Sequence, residues 1–191
     1  MDAGNEWLRR AAINPQVLQW HTWASLTPGP SLVVLGAVHG NETCGTYAIV
    51  RAMDDLQHGR LLLRCGRLTL VPVANPLAFG QRTREGERNL NRRFVPLAEP
   101  QDNEDRITCQ LAPLLAEHDA LLDLHSFHTP GVPFAMVGPR NNEGQREPFR
   151  RAVEEGELAR AVGVDQVDGG LWAGGLRGCQ ASQRREGRWR F

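Results

Sequence analysis

Residues 31–38 read Ser-Leu-Val-Val-Leu-Gly-Ala-Val and run directly into His39-Gly40-Asn41-Glu42. A short β-branched and apolar run, bounded by Pro28-Gly29-Pro30 in front and by Gly40 behind, is the pattern of a buried strand. Its C-terminal end delivers His39. Immediately downstream, Ala48, Ile49, Ala52, Met53 and Leu56 recur at helical spacing, and His58-Gly59 stops the run, so Gly45 to Leu56 is expected to be a helix.

Farther out the same alternation continues. Arg67 to Ala74 reads as a second strand ended by Asn75-Pro76, and Asn103 to Glu117 as a helix apart from Pro113. Asp119 to Leu124 reads as a third strand, Pro133 to Val137 as a fourth, and Gly144 to Val162 as a last helix. Strands alternating with helices predict an α/β fold, a mixed, mostly parallel sheet with helices on both faces, whose functional groups gather on loops beyond the strand ends. Two of those ends carry His39 and His125. Between them Phe79 to Phe94 forms a long polar loop dense in Arg and Asn, and long ordered loops are often functional.

The 191 residues suit one domain with a real core, and 41% hydrophobic with 23% charged residues is ordinary for a soluble globular chain. Net charge is zero, and all 22 basic residues are Arg. That balance argues against a general surface for nucleic acid or anionic membrane, so anion binding has to be local. Met1 to Arg10 lacks a leader pattern, and no segment approaches the roughly 18 apolar residues of a membrane span. The cytoplasm is the expected compartment. Cys44, Cys65, Cys109 and Cys179 show no CxxC spacing and are expected as reduced thiols.

His39 and Glu42 stand three residues apart after a buried strand, and His125 leaves the end of the apolar run Leu121-Leu122-Asp123-Leu124. A catalytic zinc needs three N or O ligands and an open position for water. A lone histidine after a strand is more often an ordinary loop residue, but two of them at strand ends with a nearby carboxylate reverse those odds. Asp123 lies on the same side of its strand as His125, where it either orients that ligand or simply ends the strand. His21, His58, His118 and His128 lack this setting and read as surface or partly buried structural residues, with His128 a weaker candidate for supporting the site.

Three ordered motifs, His-Gly-Asn-Glu at 39–42, the stretch NPLAFGQRTREGERNLNRRF at 75–94 and Leu-Leu-Asp-Leu-His at 121–125, together resemble the succinylglutamate desuccinylase and aspartoacylase family of the zinc carboxypeptidase superfamily. The resemblance spans roughly residues 31 to 137. It implies one Zn2+ held by His39, Glu42 and His125, and a loop in which Arg84, Asn91 and Arg92 grip substrate carboxylates. Arg82, Arg88 and Arg93 are expected to be solvated. It implies a small anionic N-acyl amino acid as substrate, cleaved at its amide bond, and leaves a homo-oligomer open. A metallocarboxypeptidase acting on short peptides and a catalytically silent zinc-binding scaffold are the alternatives.

Two departures from the family pattern stand out. Where the family commonly has Asp-Leu-Asn-Arg, this chain has Asn89-Leu90-Asn91-Arg92. The family's general-base glutamate lies in a T-x-E segment beyond the third strand, and nothing after Val164 matches it. Glu143, Glu147, Glu154, Glu155 and Glu157 have Arg neighbours and read as a solvated helix face, so no residue takes the base role and turnover is expected to be weak. Residues 1–165 are accordingly expected to form an incomplete catalytic domain. Residues 166–191, rich in Gly, Trp and Arg without periodicity, read as an atypical tail, truncated or out of frame, or else as a natural basic tail that docks on a partner.

Overall fold

The computed structural model describes residues 17–92, 94–137 and 152–168, together with the backbone of 183–185 and 188–190. The chain divides into two compact units, Met1–Ser126 and Phe127–Phe191.

The first unit is a four-stranded sheet. Its strands are β1 (His21–Ala24), β2 (Ser31–Gly36), β3 (Arg67–Val71) and β4 (Ala120–Leu124), in the order β1-β3-β2-β4. β2 runs parallel to both β3 and β4, and β1 pairs antiparallel with β3. The sheet is therefore mixed and mostly parallel, as the alternation predicts. A four-residue β1 is too short for its own periodicity to be read, and it is recognised only through its partner strand.

Register between β2 and β4 is set at their starts. Asp119 Oδ2 accepts the Ser31 backbone N–H at 2.9 Å and the Ser31 hydroxyl at 2.7 Å. From that clasp the pairing runs to Gly36 opposite Leu124. The residues that follow the two strands, which include His39 and His125, thus emerge side by side.

Helix α1 (Cys44–Gln57) buries Gly45, Thr46, Ile49, Val50 and Met53, a stripe at spacings of three and four, against one face of the sheet. Ile49 and Met53 pack with Val34 and Leu70, and Leu32, Leu68, Leu122 and Leu124 surround them. Strand alternation sends Val33, Leu35, Thr69 and Val71 to the opposite face. Helix α3 (Asn103–Ala116) lies on that side: His118, two residues past it, meets the Thr69 hydroxyl at 2.8 Å. Helices cover both faces, and α3 runs through Pro113 without interruption.

Between β3 and α3 the chain forms a short helix α2 (Pro76–Gln81), where the sequence alone suggests only a strand end and a loop. Asn75 caps it, its side-chain oxygen accepting Ala78 N–H at 3.2 Å, and Pro76 occupies the first turn. Asn75-Pro76 is thus a helix start as well as a strand stop.

In the second unit, β5 (Phe134–Val137) pairs in parallel with β6 (Asp165–Asp168), and helix α4 (Ala152–Val162) lies between them in sequence. A short antiparallel pair, β7 (Gln183–Arg185) and β8 (Arg188–Arg190), follows. β5 matches the expected fourth strand, whereas β6, β7 and β8 fall where the sequence displays no periodicity, because three or four residues cannot establish alternation. Residues 144–151 of the expected last helix lie outside the described residues.

Candidate metal centre

The bend after β2 carries backbone strain. Ala37, fully buried, holds a left-handed φ of 48°, a conformation that costs a non-glycine residue of order 1–2 kcal/mol. Two hydrogen bonds across to β3's exit fix it: Ala74 N–H donates to Gly36 O at 2.8 Å and Asn75 N–H to Ala37 O at 3.0 Å. The bend turns His39 inward, and the tight turn that follows, with Glu42 N–H on His39 O at 3.0 Å, brings Glu42 to the same side. Gly40 must be glycine here, since a Cβ would sit 2.0 Å from the Ala78 carbonyl carbon of α2.

His39, Glu42 and His125 converge. One donor atom from each lies within 4.8 Å of the others. His39 Nδ1 is 2.9 Å from Glu42 Oε1, His125 Nδ1 is 2.7 Å from Glu42 Oε2, and the two Nδ1 atoms are 3.2 Å apart. His39 and Glu42 are buried, at 2% and 4% exposure, and His125 is nearly so at 10%.

The outward ring nitrogens settle the tautomers. His125 Nε2–H donates to Asp123 Oδ2 at 2.8 Å, an atom that can only accept. His39 Nε2–H donates to Asn89 Oδ1 at 3.3 Å. Each Nδ1 then presents a lone pair inward, towards the other ring and the Glu42 carboxylate. Such electron-rich atoms repel at these distances unless a proton or a metal cation sits among them. Ligand atoms about 2.1 Å from a tetrahedral zinc lie roughly 3.4 Å apart, close to the 3.2 Å between the imidazole nitrogens. The residues fit a metal ion.

Burial pushes the Glu42 carboxyl up, but in the metal-free chain, where protons on the two Nδ1 atoms take the place of a cation, hydrogen bonds and charge from His125 and His39 outweigh it and hold the group well below the usual carboxylate range. Ser126 N–H adds a bond to Oε2 at 3.1 Å, and Arg84 Nη1 one to Oε1 at 2.7 Å. These contacts favour the anionic form of Glu42.

The polar loop divides by role. Arg84 reaches the site through Glu42 and is otherwise 53% exposed. Asn91 lies in the turn beside Asn89, its N–H on Asn89 Oδ1 at 2.9 Å, and its buried Nδ2 has no partner among the described residues. Arg92 is exposed, with Nη1 on the Asn91 carbonyl at 2.7 Å. Arg82 is exposed as expected, and Arg93 lies outside the described residues. Arg88 corrects the expectation of a solvated side chain. It is 27% exposed and forks between Asp102 and Asp105, both at 2.5 Å, pinning the loop to the start of α3.

Nearby carboxylates of Glu87, Asp102 and Glu104 also approach one another. All three accept N–H groups: Glu87 from Asn103, Asp102 from Asp105 and Arg88, Glu104 from Asn75 Nδ2 and from the backbone of Glu87 and Arg88. They anchor the loop. This anchor escapes a sequence reading because its members are ordinary surface residue types, joined by folding across 29 positions between Asn75 and Glu104.

Among the remaining histidines, His58 is exposed and bonded to Asp54, and His21 is half-buried. His118 is not partly exposed but fully buried, at 1%. His128 is exposed in the second unit. On α4, Glu154 and Glu157 are exposed and Glu155 half-buried, while Glu143 and Glu147 lie outside the described residues.

The fold and this His-Glu-His cluster define an α/β domain with a metal-ready centre at adjacent strand ends. Residues 28–145 match the succinylglutamate desuccinylase/aspartoacylase catalytic domain, and the chain belongs to that family. A probable aspartoacylase of Acaryochloris marina is 31% identical over 103 residues, covering 50% of this chain and 34% of the relative. The crystal structure of an aspartoacylase family protein from Mesorhizobium loti superposes with a TM-score of 0.63 at 28% identity, over 77% of this chain and 45% of that one. A succinylglutamate desuccinylase from Silicibacter shares the fold, with a TM-score of 0.55 at 24% identity over 66% of this chain and 39% of that one. The chain thus spans about a third of the curated relative and under half of either solved structure.

Proposed function

We propose that the chain is a zinc-dependent hydrolase of the amide bond in N-acyl amino acids, with His39, Glu42 and His125 as the zinc ligands. The observation that carries the reading is the convergence of two inward imidazole Nδ1 atoms and a buried carboxylate within 4.8 Å, backed by Asp123 and Asn89. The chemistry zinc supplies at such a centre is acidification of a water and polarisation of a carbonyl oxygen.

The chain's own residues do the rest. Asp123 holds the proton on His125 Nε2, so Nδ1 stays a lone-pair donor. The Arg84 guanidinium, at the mouth of the centre, and the unpartnered Asn91 amide are the groups suited to bind a substrate carboxylate, and Arg92 adds positive charge from the exposed side of the same turn. These groups favour a small anionic substrate. No described helix is long and apolar enough to cross a membrane, and Cys44, Cys65 and Cys109 are free thiols.

Among the described residues none is assigned as general base. General-base assistance contributes roughly 10² to 10⁴ in rate, so turnover by these 191 residues is expected to be slow even with zinc bound. The test is zinc stoichiometry by chelator competition, followed by hydrolysis of N-acetylaspartate and N-succinylglutamate by the loaded chain. One zinc per chain, lost in His125→Ala, and slow hydrolysis that depends on zinc are expected. A chain that takes up no zinc would sink the proposal, and zinc uptake with no hydrolysis above background would reduce it to a metal-binding protein.

A further inference from the structure

The two imidazoles of the metal centre have unequal backing. His125 Nε2–H meets a carboxylate, Asp123 Oδ2, at 2.8 Å, whereas His39 Nε2–H meets a carboxamide oxygen, Asn89 Oδ1, at 3.3 Å. That same oxygen takes the Asn91 backbone N–H at 2.9 Å. Two donors converge on it, which identifies it as the oxygen rather than the nitrogen of the amide.

We propose that Asn89 is a positioning residue that tunes the metal centre downward. Its oxygen keeps His39 in the Nε2–H form, with Nδ1 free to face Glu42, and ties that ligand to the turn carrying Asn91 and Arg92. Being neutral, it leaves His39 the weaker of the two imidazole ligands. This rests on the zinc reading above. A carboxylate behind a ligating histidine raises the basicity of the ring, and loss of such an outer partner typically costs about 10- to 100-fold in metal affinity. A carboxamide fixes the ring without adding charge. The centre is also less anionic than its two carboxylates, Glu42 and Asp123, would make it, because Arg84 lies on Glu42.

A purely local role competes with this: an Asn whose oxygen takes the N–H two residues on is a common turn former. Asn89→Asp separates the two, since the aspartate keeps the turn acceptor and the shape but adds a charge behind His39. Asn89→Ala removes the acceptor altogether.

The experiment measures zinc affinity by chelator competition on the whole chain, as wild type, N89D and N89A, with far-UV circular dichroism to confirm that each is folded. The expected result is binding about tenfold tighter in N89D and at least about tenfold weaker in N89A. Wild-type affinity in N89D would assign Asn89 to the turn alone and overturn the inference, as would unchanged affinity in N89A or weaker binding in N89D. A wild-type chain that binds no zinc would overturn the zinc reading together with this one. An intact wild-type site indifferent to both variants would overturn this one only.

Discussion

Arg84 stands between the proposed metal centre and solvent, because its guanidinium touches a zinc-ligand candidate while half of it is exposed. Two roles are open to such a group: gripping an incoming carboxylate, or simply neutralising Glu42. They predict different things for Arg84→Ala. Hydrogen bonds to charged groups contribute roughly 1.5–3 kcal/mol, with the lower end fitting an exposed side chain. An anion-gripping arginine should therefore cost about tenfold in affinity for N-acetylaspartate, measured calorimetrically on zinc-loaded protein, with zinc affinity changed by less. Equal losses in both would mean that Arg84 serves Glu42 alone. The residues of this site were legible as types: His39, Glu42 and His125 announce themselves by position after apolar strands. The Asn89 contact was not, since nothing in Asn-Leu-Asn-Arg tells which neighbour 50 positions away its oxygen will meet.

At the scale of elements, the site depends on how closely α2 approaches the loop after β2. Gly40 sits with its α-carbon against the backbone of Ala78 and Phe79, which a Cβ would approach to 2.0 and 2.2 Å. Backbone cannot rotate aside as a side chain would, so Gly40→Ala must push α2 and the 39–42 turn apart. Overpacking of this kind costs roughly 1–3 kcal/mol, and contact with backbone puts it at the upper end. The expectation is a chain about 3 kcal/mol less stable in urea titration, with zinc affinity lowered because His39 and Glu42 flank the displaced residue. Unchanged stability would mean that the packing between α2 and this turn is looser than described. Long elements with a buried stripe, such as β2 and α1, could be read directly, for their apolar residues recur often enough to fix a period. Short ones could not: β1 has four residues and α2 six. α2 is signalled only by its cap, Asn75-Pro76, which reads equally as the end of the preceding strand.

Across the whole of the first unit, the face of the sheet away from α1 is held by a polar chain that the sequence does not announce. The Thr22 hydroxyl on β1 lies 2.9 Å from that of Thr69 on β3, Thr69 is 2.8 Å from His118 Nε2, and His118 Nδ1–H donates to Leu114 O of α3 at 2.7 Å. With Nδ1 protonated, Nε2 accepts from Thr69, whose own oxygen accepts from Thr22. The ring is thus neutral and fully satisfied, and β1, β3 and α3 are joined through it. Burial lowers the His118 pKa from its ordinary 6.5, with Arg67 adding to the effect, while the Leu114 carbonyl and the neighbouring Glu117 and Asp119 oppose it. Below that ordinary value of 6.5 the unfolded chain takes up a proton that the folded ring refuses. The stability contributed is therefore present above pH 6.5 and is lost as the pH falls from there towards the lowered folded value. Glutamine can donate to Leu114 O and accept from Thr69 without titrating, which makes His118→Gln the informative variant. Thermal melts of metal-free protein at about pH 7.5 and about pH 5.5 should show a larger fall in Tm for the wild type than for His118→Gln. Any proton uptake at His39 and His125 is common to both proteins and cancels in the comparison. Parallel falls would show that the buried ring protonates as readily in the folded chain as in the unfolded one, and that the threonine chain reverses its hydroxyls to accommodate the charge.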